Sequence, residues 1–151
     1  MDTLDSFWYR LCIVQALEFT ATSHSHTIGW TGRGWGSVTV TQTDDTELIC
    51  TEQGNWTTDT NVRLAFRNVY RWRIDEEGQL LHLEHLRFGP EQPVYLCALT
   101  PQSPTQLCSV QPHLCGPDHY LVTVSIESSQ LLMHWDIQGP HKNEQLAYWY
   151  D

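Results

Sequence analysis

The chain has 151 residues, of which 40% are hydrophobic and only 17% charged, and its formal net charge is −10. That length suits one domain, residues 1–151, with a real core. The acidic balance excludes phosphate-driven binding of nucleic acid and docking on anionic membranes, and leaves a neutral or cationic partner.

The opening segment, Asp2 to about Leu17, is the one place that predicts a helix or turn, with Asp5 or Ser6 as its cap before Phe7-Trp8-Tyr9. The run Leu11 to Phe19 fits a first strand equally well. From there the dominant signal has period two. Val38 and Val40 alternate with Ser37, Thr39 and Thr41. Leu64, Phe66, Tyr70, Trp72 and Ile74 alternate with Arg63, Arg67, Arg71 and Arg73. The same pattern runs through Tyr120 to Ile126, Leu131 to Ile137 and Gln145 to Tyr150. Each reads as a half-buried antiparallel strand. Turn signals at Asp44-Asp45, Asp75 to Gly78, Gly89-Pro90 and Ser128-Ser129 are short enough for hairpins. Residues 100–117, with Pro101, Pro104, Pro112 and Pro117, read as the longest irregular region. An up-and-down meander of about eight to ten strands must hide its edges, and closing into a barrel does so. A two-sheet sandwich is the rival, but short connections leave little room for Greek-key crossovers. The prediction is an all-β antiparallel up-and-down barrel.

The five cysteines, Cys12, Cys50, Cys97, Cys108 and Cys115, form no CxxC. No apolar leader opens the chain and no stretch is long enough to span a bilayer. The expectation is a cytoplasmic protein with free thiols, although Cys108 and Cys115 could pair. Asn55-Trp-Thr57 is a glycosylation sequon that carries no meaning without secretion.

Three stretches carry a resemblance: Tyr70-Arg-Trp72, His113-Leu-Cys-Gly-Pro-Asp-His-Tyr120, and Trp135-x-Ile-x-Gly-Pro-His-Lys142 with the terminal Tyr148/Tyr150 strand. Together they resemble an uncharacterised, mainly bacterial family of domains of unknown function related to lipocalin-like (calycin) barrels. Gly32-Arg-Gly34 fits that family's early glycine-rich turn. The family's last turn tends to read Gly-Pro-Arg-Lys-Asp, where this chain has Gly139-Pro140-His141-Lys142-Asn143. The resemblance implies a barrel and site positions, and no activity.

Tyr70, Trp72, Tyr120, Trp135 and Tyr148 share the apolar faces of their strands. Turned inward, they offer a ligand stacking surface or simply fill the core. His113, Asp118 and Lys142 supply polar groups for the rim. Asp118, His113 and Tyr120 are the candidate catalytic groups, with Asp118 alternatively a turn cap or rim ion pair. His113, Cys115 and His119 have metal-ligand chemistry but not zinc spacing, so neither metal nor cofactor is expected. His24-Ser-His26 reads as a loop over one barrel end. His82 and His85 face opposite sides of a strand, and His134 reads as exposed. The Arg63–Arg73 stripe reads as an outer face balancing acids such as Glu84, with one inward Arg clamping a carboxylate ligand as the alternative. Nucleotide-binding, zincin and serine-hydrolase motifs are absent.

Three functions fit, with the protein a monomer or homodimer. The first is a barrel binding a small, partly apolar molecule, which implies a cavity of ~300 Å³ or more. The second is an acid–base enzyme of isomerase or cyclase type in the same cavity, with Asp118 near a Tyr or His. The third is an interaction module with a filled barrel and exposed tryptophans such as Trp35, Trp56 or Trp149.

Overall fold

The computed structural model describes residues 2–25 and 31–151. It comprises one helix, α1 (Thr3–Cys12), and eleven strands: β1 (Ala16–Ser23), β2 (Gly32–Asp44), β3 (Glu47–Thr58), β4 (Arg63–Asp75), β5 (Leu80–His85), β6 (Val94–Ser103), β7 (Gln106–Ser109), β8 (His113–Cys115), β9 (Asp118–Glu127), β10 (Gln130–Gln138) and β11 (Asn143–Tyr150).

All pairings are antiparallel. The order runs β10-β11-β1-β2-β3-β4-β5-β6-β7-β9, and β9 pairs back onto β10, closing a ten-stranded barrel; β8 is an extra strand on β9. The closure follows from the chain's short turns and leaves few sheet edges open to association. This is the expected all-β barrel, consistent with a lipocalin-like one.

Two expectations need correcting. Residues 100–117 are not one irregular loop: they hold the end of β6, all of β7 and all of β8. Pro101 is tolerated in β6 because the ladder shifts register between Pro101 and Ser103. The helix cap is Asp2, whose Oδ1 accepts from the Asp5 N–H at 2.8 Å, one turn earlier than expected.

Helix α1 works as a plug. Leu4, Phe7 and Leu11 recur at helical spacing and are buried, Leu4 and Phe7 completely. The helix touches both β2 and β6, which lie far apart around the barrel, so it spans the mouth at that end. Its apolar face joins the barrel interior in one core cluster. The chain ends lock together beside it: the Gln15 and Ala16 N–H groups both donate to the Asp151 carbonyl, at 2.8 and 3.0 Å.

The other half of the interior is filled by rings. Phe19 stacks on Tyr148 at 5.2 Å and meets Phe66 edge-on at 5.4 Å. Room for them comes from Gly34, where a β-carbon would collide with the Phe19 ring and with Trp56 Cβ. The glycines here serve close packing inside a strand, not the turn inferred from Gly32-Arg-Gly34. We therefore expect Gly34→Val to destabilise the protein by about 1–3 kcal/mol through overpacking, read by urea denaturation. An unchanged midpoint would show that the rings yield easily.

The outer face carries the arginine stripe. Glu84, 5% exposed, accepts from Arg71 Nε and Nη2 at 3.1 and 3.3 Å and from Arg73 Nε at 2.9 Å. Burial opposes ionisation of Glu84, but the two guanidinium groups outweigh it and hold the carboxyl below its ordinary range. Arg71 and Arg73 thus balance an acid on the outer wall, and neither serves as the inward clamp considered above.

Candidate functional site

The interior site is built around a residue the sequence patterning did not single out. On β3, Leu48, Cys50 and Glu52 alternate inward and all three are buried. Period two therefore carries a carboxylate into the apolar barrel, leaving Glu52 only 2% exposed. The Tyr150 hydroxyl donates to Glu52 Oε2 at 2.6 Å. The register of β3 with β4 sets Asn68 directly opposite. Its amide eases ionisation, but among the described residues no donor reaches Oε1 in hydrogen-bond geometry.

Burial dominates the electrostatics. It pushes the Glu52 carboxyl up to about 7, against the opposing pull of Tyr150 and Asn68. The Tyr70, Tyr148 and Tyr150 hydroxyls are also raised, first by burial and then by the Glu52 charge. Cys50 is pushed up to about 12 by burial and by Glu52, so its thiol is an inert neighbour. Tyr70 meets the His85 ring edge-on at 4.8 Å. His85 Nδ1 is buried without a partner, and burial with the Arg87 charge lowers the imidazole's pKa.

Glu52, Tyr70, Trp72, Trp135, Tyr148 and Tyr150 line a common cavity, closed on one side by Leu11 and Val14 of the plug segment. Four expected interior residues, Tyr70, Trp72, Trp135 and Tyr148, thus meet with Tyr150, which alternates onto the same face as Tyr148, around Glu52, which was not expected there. The cavity holds about 30 Å³, room for one water and not for a drug-sized molecule. The expectation of ~300 Å³ or more fails in this closed form, because α1 and the aromatic rings occupy the space.

The remaining expected site residues gather at the rim opposite α1. Asp118 Oδ2 pairs with Lys142 Nζ at 3.6 Å. Gly139 lies against Asp118, since a β-carbon there would collide with Oδ1. Tyr120, Asp118 and Glu144 all raise the Lys142 ammonium's pKa, Tyr120 most. His113 sits across the β8–β9 ladder from Tyr120, with rings 5.9 Å apart. Asp118 pairs with a lysine rather than a tyrosine or histidine and stands outside the interior cavity, as in the rim ion pair that was the alternative to a base. A half-exposed pair of this kind is worth at most about 1 kcal/mol and serves to pin the two Gly-Pro turns together.

His113, Cys115 and His119 do not converge. Among the described residues, the group with metal-binding proximity is Asp2, Asp5 and Glu76, an acidic surface cluster at the start of α1. His24 and His134 are exposed, and His26 lies outside the described residues. All five cysteines are free, including Cys108 and Cys115. Trp35 is 52% exposed, while Trp56 and Trp149 are half-buried.

The fold and this interior define a closed β-barrel with a solvent-shielded glutamate among tyrosines. The model of a family of unknown function, DUF6314, matches residues 17–151, and the chain belongs to that family. The match takes in every strand except the first residue of β1 and leaves α1 outside. No curated protein matches the chain.

Proposed function

We propose that the barrel interior binds a small, mostly apolar molecule that donates one hydrogen bond to Glu52 Oε1. The observation that carries this reading is the orphaned oxygen itself. A buried carboxylate atom without a donor is costly, and it faces a cavity otherwise lined by aromatic and aliphatic groups. Tyr150 fixes the carboxyl from one side, and Tyr70, Tyr148, Trp72 and Trp135 provide the surface on which an apolar ligand lies.

The size of the closed cavity sets a condition. Anything much larger than water requires Leu11 and Val14 to withdraw, so α1 acts as the door. The ligand chemistry follows from Glu52: a neutral alcohol or amide, or an amine that takes the carboxylate form as its partner. The likeness to lipocalin-type barrels supports the interior as the binding place by analogy of fold alone. A reducing cytoplasmic setting suits the five free thiols.

The test combines native mass spectrometry of the purified protein with thermal shift against a panel of small alcohols, amides and amines. The expected result is a bound mass or a panel member that raises the melting temperature. Its affinity should fall ~10-fold or more in Tyr150→Phe and Glu52→Ala, the loss of about one hydrogen bond to a charged group. No bound mass and no shift across the panel would overturn the reading.

Acid–base catalysis in the same cavity is a second reading, favoured by a Glu52 carboxyl that titrates near neutrality beside a tyrosine. It requires turnover of the bound molecule with an inflection near pH 7 that disappears in Glu52→Gln.

A further inference from the structure

The barrel wall has a break between β7 and β8. β7 and β8 run in the same direction along β9, but residues 110–112 leave the ladder between them. At the break Ser109 Oγ stands in for a backbone partner, accepting from the Val122 N–H at 2.9 Å and donating to the Val122 carbonyl at 3.1 Å. On the other side, β6 pairs with β7 from Leu99 to Ser103, and the last backbone bond runs from the Val110 N–H to the Ala98 carbonyl at 2.9 Å. Beyond it, Val94 to Cys97 of β6 pair only with β5, and β8 pairs only with β9. Two strand edges therefore face each other with no ladder between them.

The space separating them is a groove of about 760 Å³. Leu96, Cys97 and Ala98 line one side and Val110, Pro112 and Leu114 the other. Tyr95, Val110 and Leu114 are 44%, 55% and 62% exposed, so three large apolar side chains stand in solvent around one slit. No carboxylate, lysine or arginine lines it.

We propose that this slit accepts an extended segment of a partner polypeptide, which adds as a strand between β6 and β8. Unpaired N–H and C=O groups on both edges fit an extended backbone, and no other ligand class presents that repeat on two sides. The free edges are Val94 to Cys97 on β6 and His113 to Cys115 on β8, and at ~3.3 Å per residue they set the length of the pairing core. β6 and β8 run antiparallel to each other, so the incoming strand is antiparallel to one edge and parallel to the other. The longer β6 edge is the antiparallel partner, the stronger of the two pairings. The side chains of the segment that lie against Leu96 and Leu114 meet an apolar lining, so those are apolar. The uncharged lining and the net charge of −10 select a neutral or basic segment over an acidic one. The site is independent of the Glu52 cavity, with which it shares no lining residue.

The experiment pans a random library of linear peptides of about seven residues, enough to span both edges, against the intact protein. The enriched peptide is then synthesised, titrated and followed by amide hydrogen exchange. We expect an alternating apolar consensus without acidic residues and new protection at residues 95–97 and 113–115. We expect Leu114→Asp, at a position exposed enough to leave folding intact, to weaken binding ~10-fold or more. Methylating alternate backbone nitrogens of the peptide abolishes binding if strand pairing carries it. Four results would each overturn the proposal: no enrichment above background, indifference to backbone methylation, protection mapping elsewhere, or self-association that covers the slit with a second copy of the chain.

Discussion

Replacing Glu52 by glutamine should remove most of the pH dependence of stability between about pH 4.5 and pH 7 and make the protein more stable than the parent above it. Glu52 is a carboxyl whose folded pKa, about 7, lies above its ordinary value of 4.5. Below pH 4.5 the group is protonated whether the chain is folded or not, and the native state suffers no penalty. Between the two values the unfolded chain releases the proton while the folded barrel still holds it, so folded stability falls as pH rises. Above about 7 both states are ionised, and the cost of burying the charge is fully present, on the order of 3 kcal/mol. Glutamine has no proton to release. Its oxygen accepts from Tyr150 as the carboxylate does, and its amide leaves one group unpartnered at every pH. Urea denaturation of both proteins at pH 5, 6, 7 and 8 reads the effect. Equal slopes in the two would show that Glu52 is not a buried, easily protonated group.

This residue also marks where sequence patterning lost the trail. The strands around Val38, Tyr70, Val122 and Met133 were legible because apolar residues sit at most inward positions. On β3 the inward positions are Leu48, Cys50, Glu52, Gly54 and Trp56, and the outward ones are mostly Thr, Gln and Asn. A carboxylate and a glycine interrupt the apolar count, so the longest hydrophobic match ends after Cys50 and the strand does not stand out by period. The parity was nonetheless present: once Leu48 and Cys50 are set inward, Glu52 must follow. What no local pattern could supply is its partner, because Tyr150 is 98 residues away and meets Glu52 only through barrel closure. The rim was easier. Two Gly-Pro turns beside strands were enough to put Asp118 and Lys142 at the rim, with an ion pair there as one reading of Asp118, and the two are paired. The sequence reading offered a rim ion pair as the alternative to a base for Asp118, while the carboxyl that burial pushes up to about 7 lies in the interior.

Truncating Phe7 to alanine should cost about 3–5 kcal/mol, the range for an aromatic ring removed from a rigid core, although the substitution lies in a ten-residue helix outside the family match. Phe7 is fully buried and lines a small cavity together with Trp72, Leu81, Val124, Leu131, Met133 and Tyr150, residues contributed by several staves of the barrel. Trp72, Met133 and Tyr150 of that lining also border the Glu52 cavity. Removing the Phe7 ring therefore does two things at once: it loosens the plug and joins new apolar volume to the space beneath. Benzene or indole should raise the melting temperature of the variant and leave the parent unmoved, since an apolar cavity of ring size takes up such molecules. Tyr9, on the outer side of the same helix and 56% exposed, is the control, and Tyr9→Ala should change stability by less than about 0.5 kcal/mol. Equal losses at the two positions would mean that α1 rests on the barrel without sealing it. The door proposed for the interior site would then have no hinge to act on. A large loss at Phe7 with uptake of benzene would instead show that one helix face separates the glutamate from solvent.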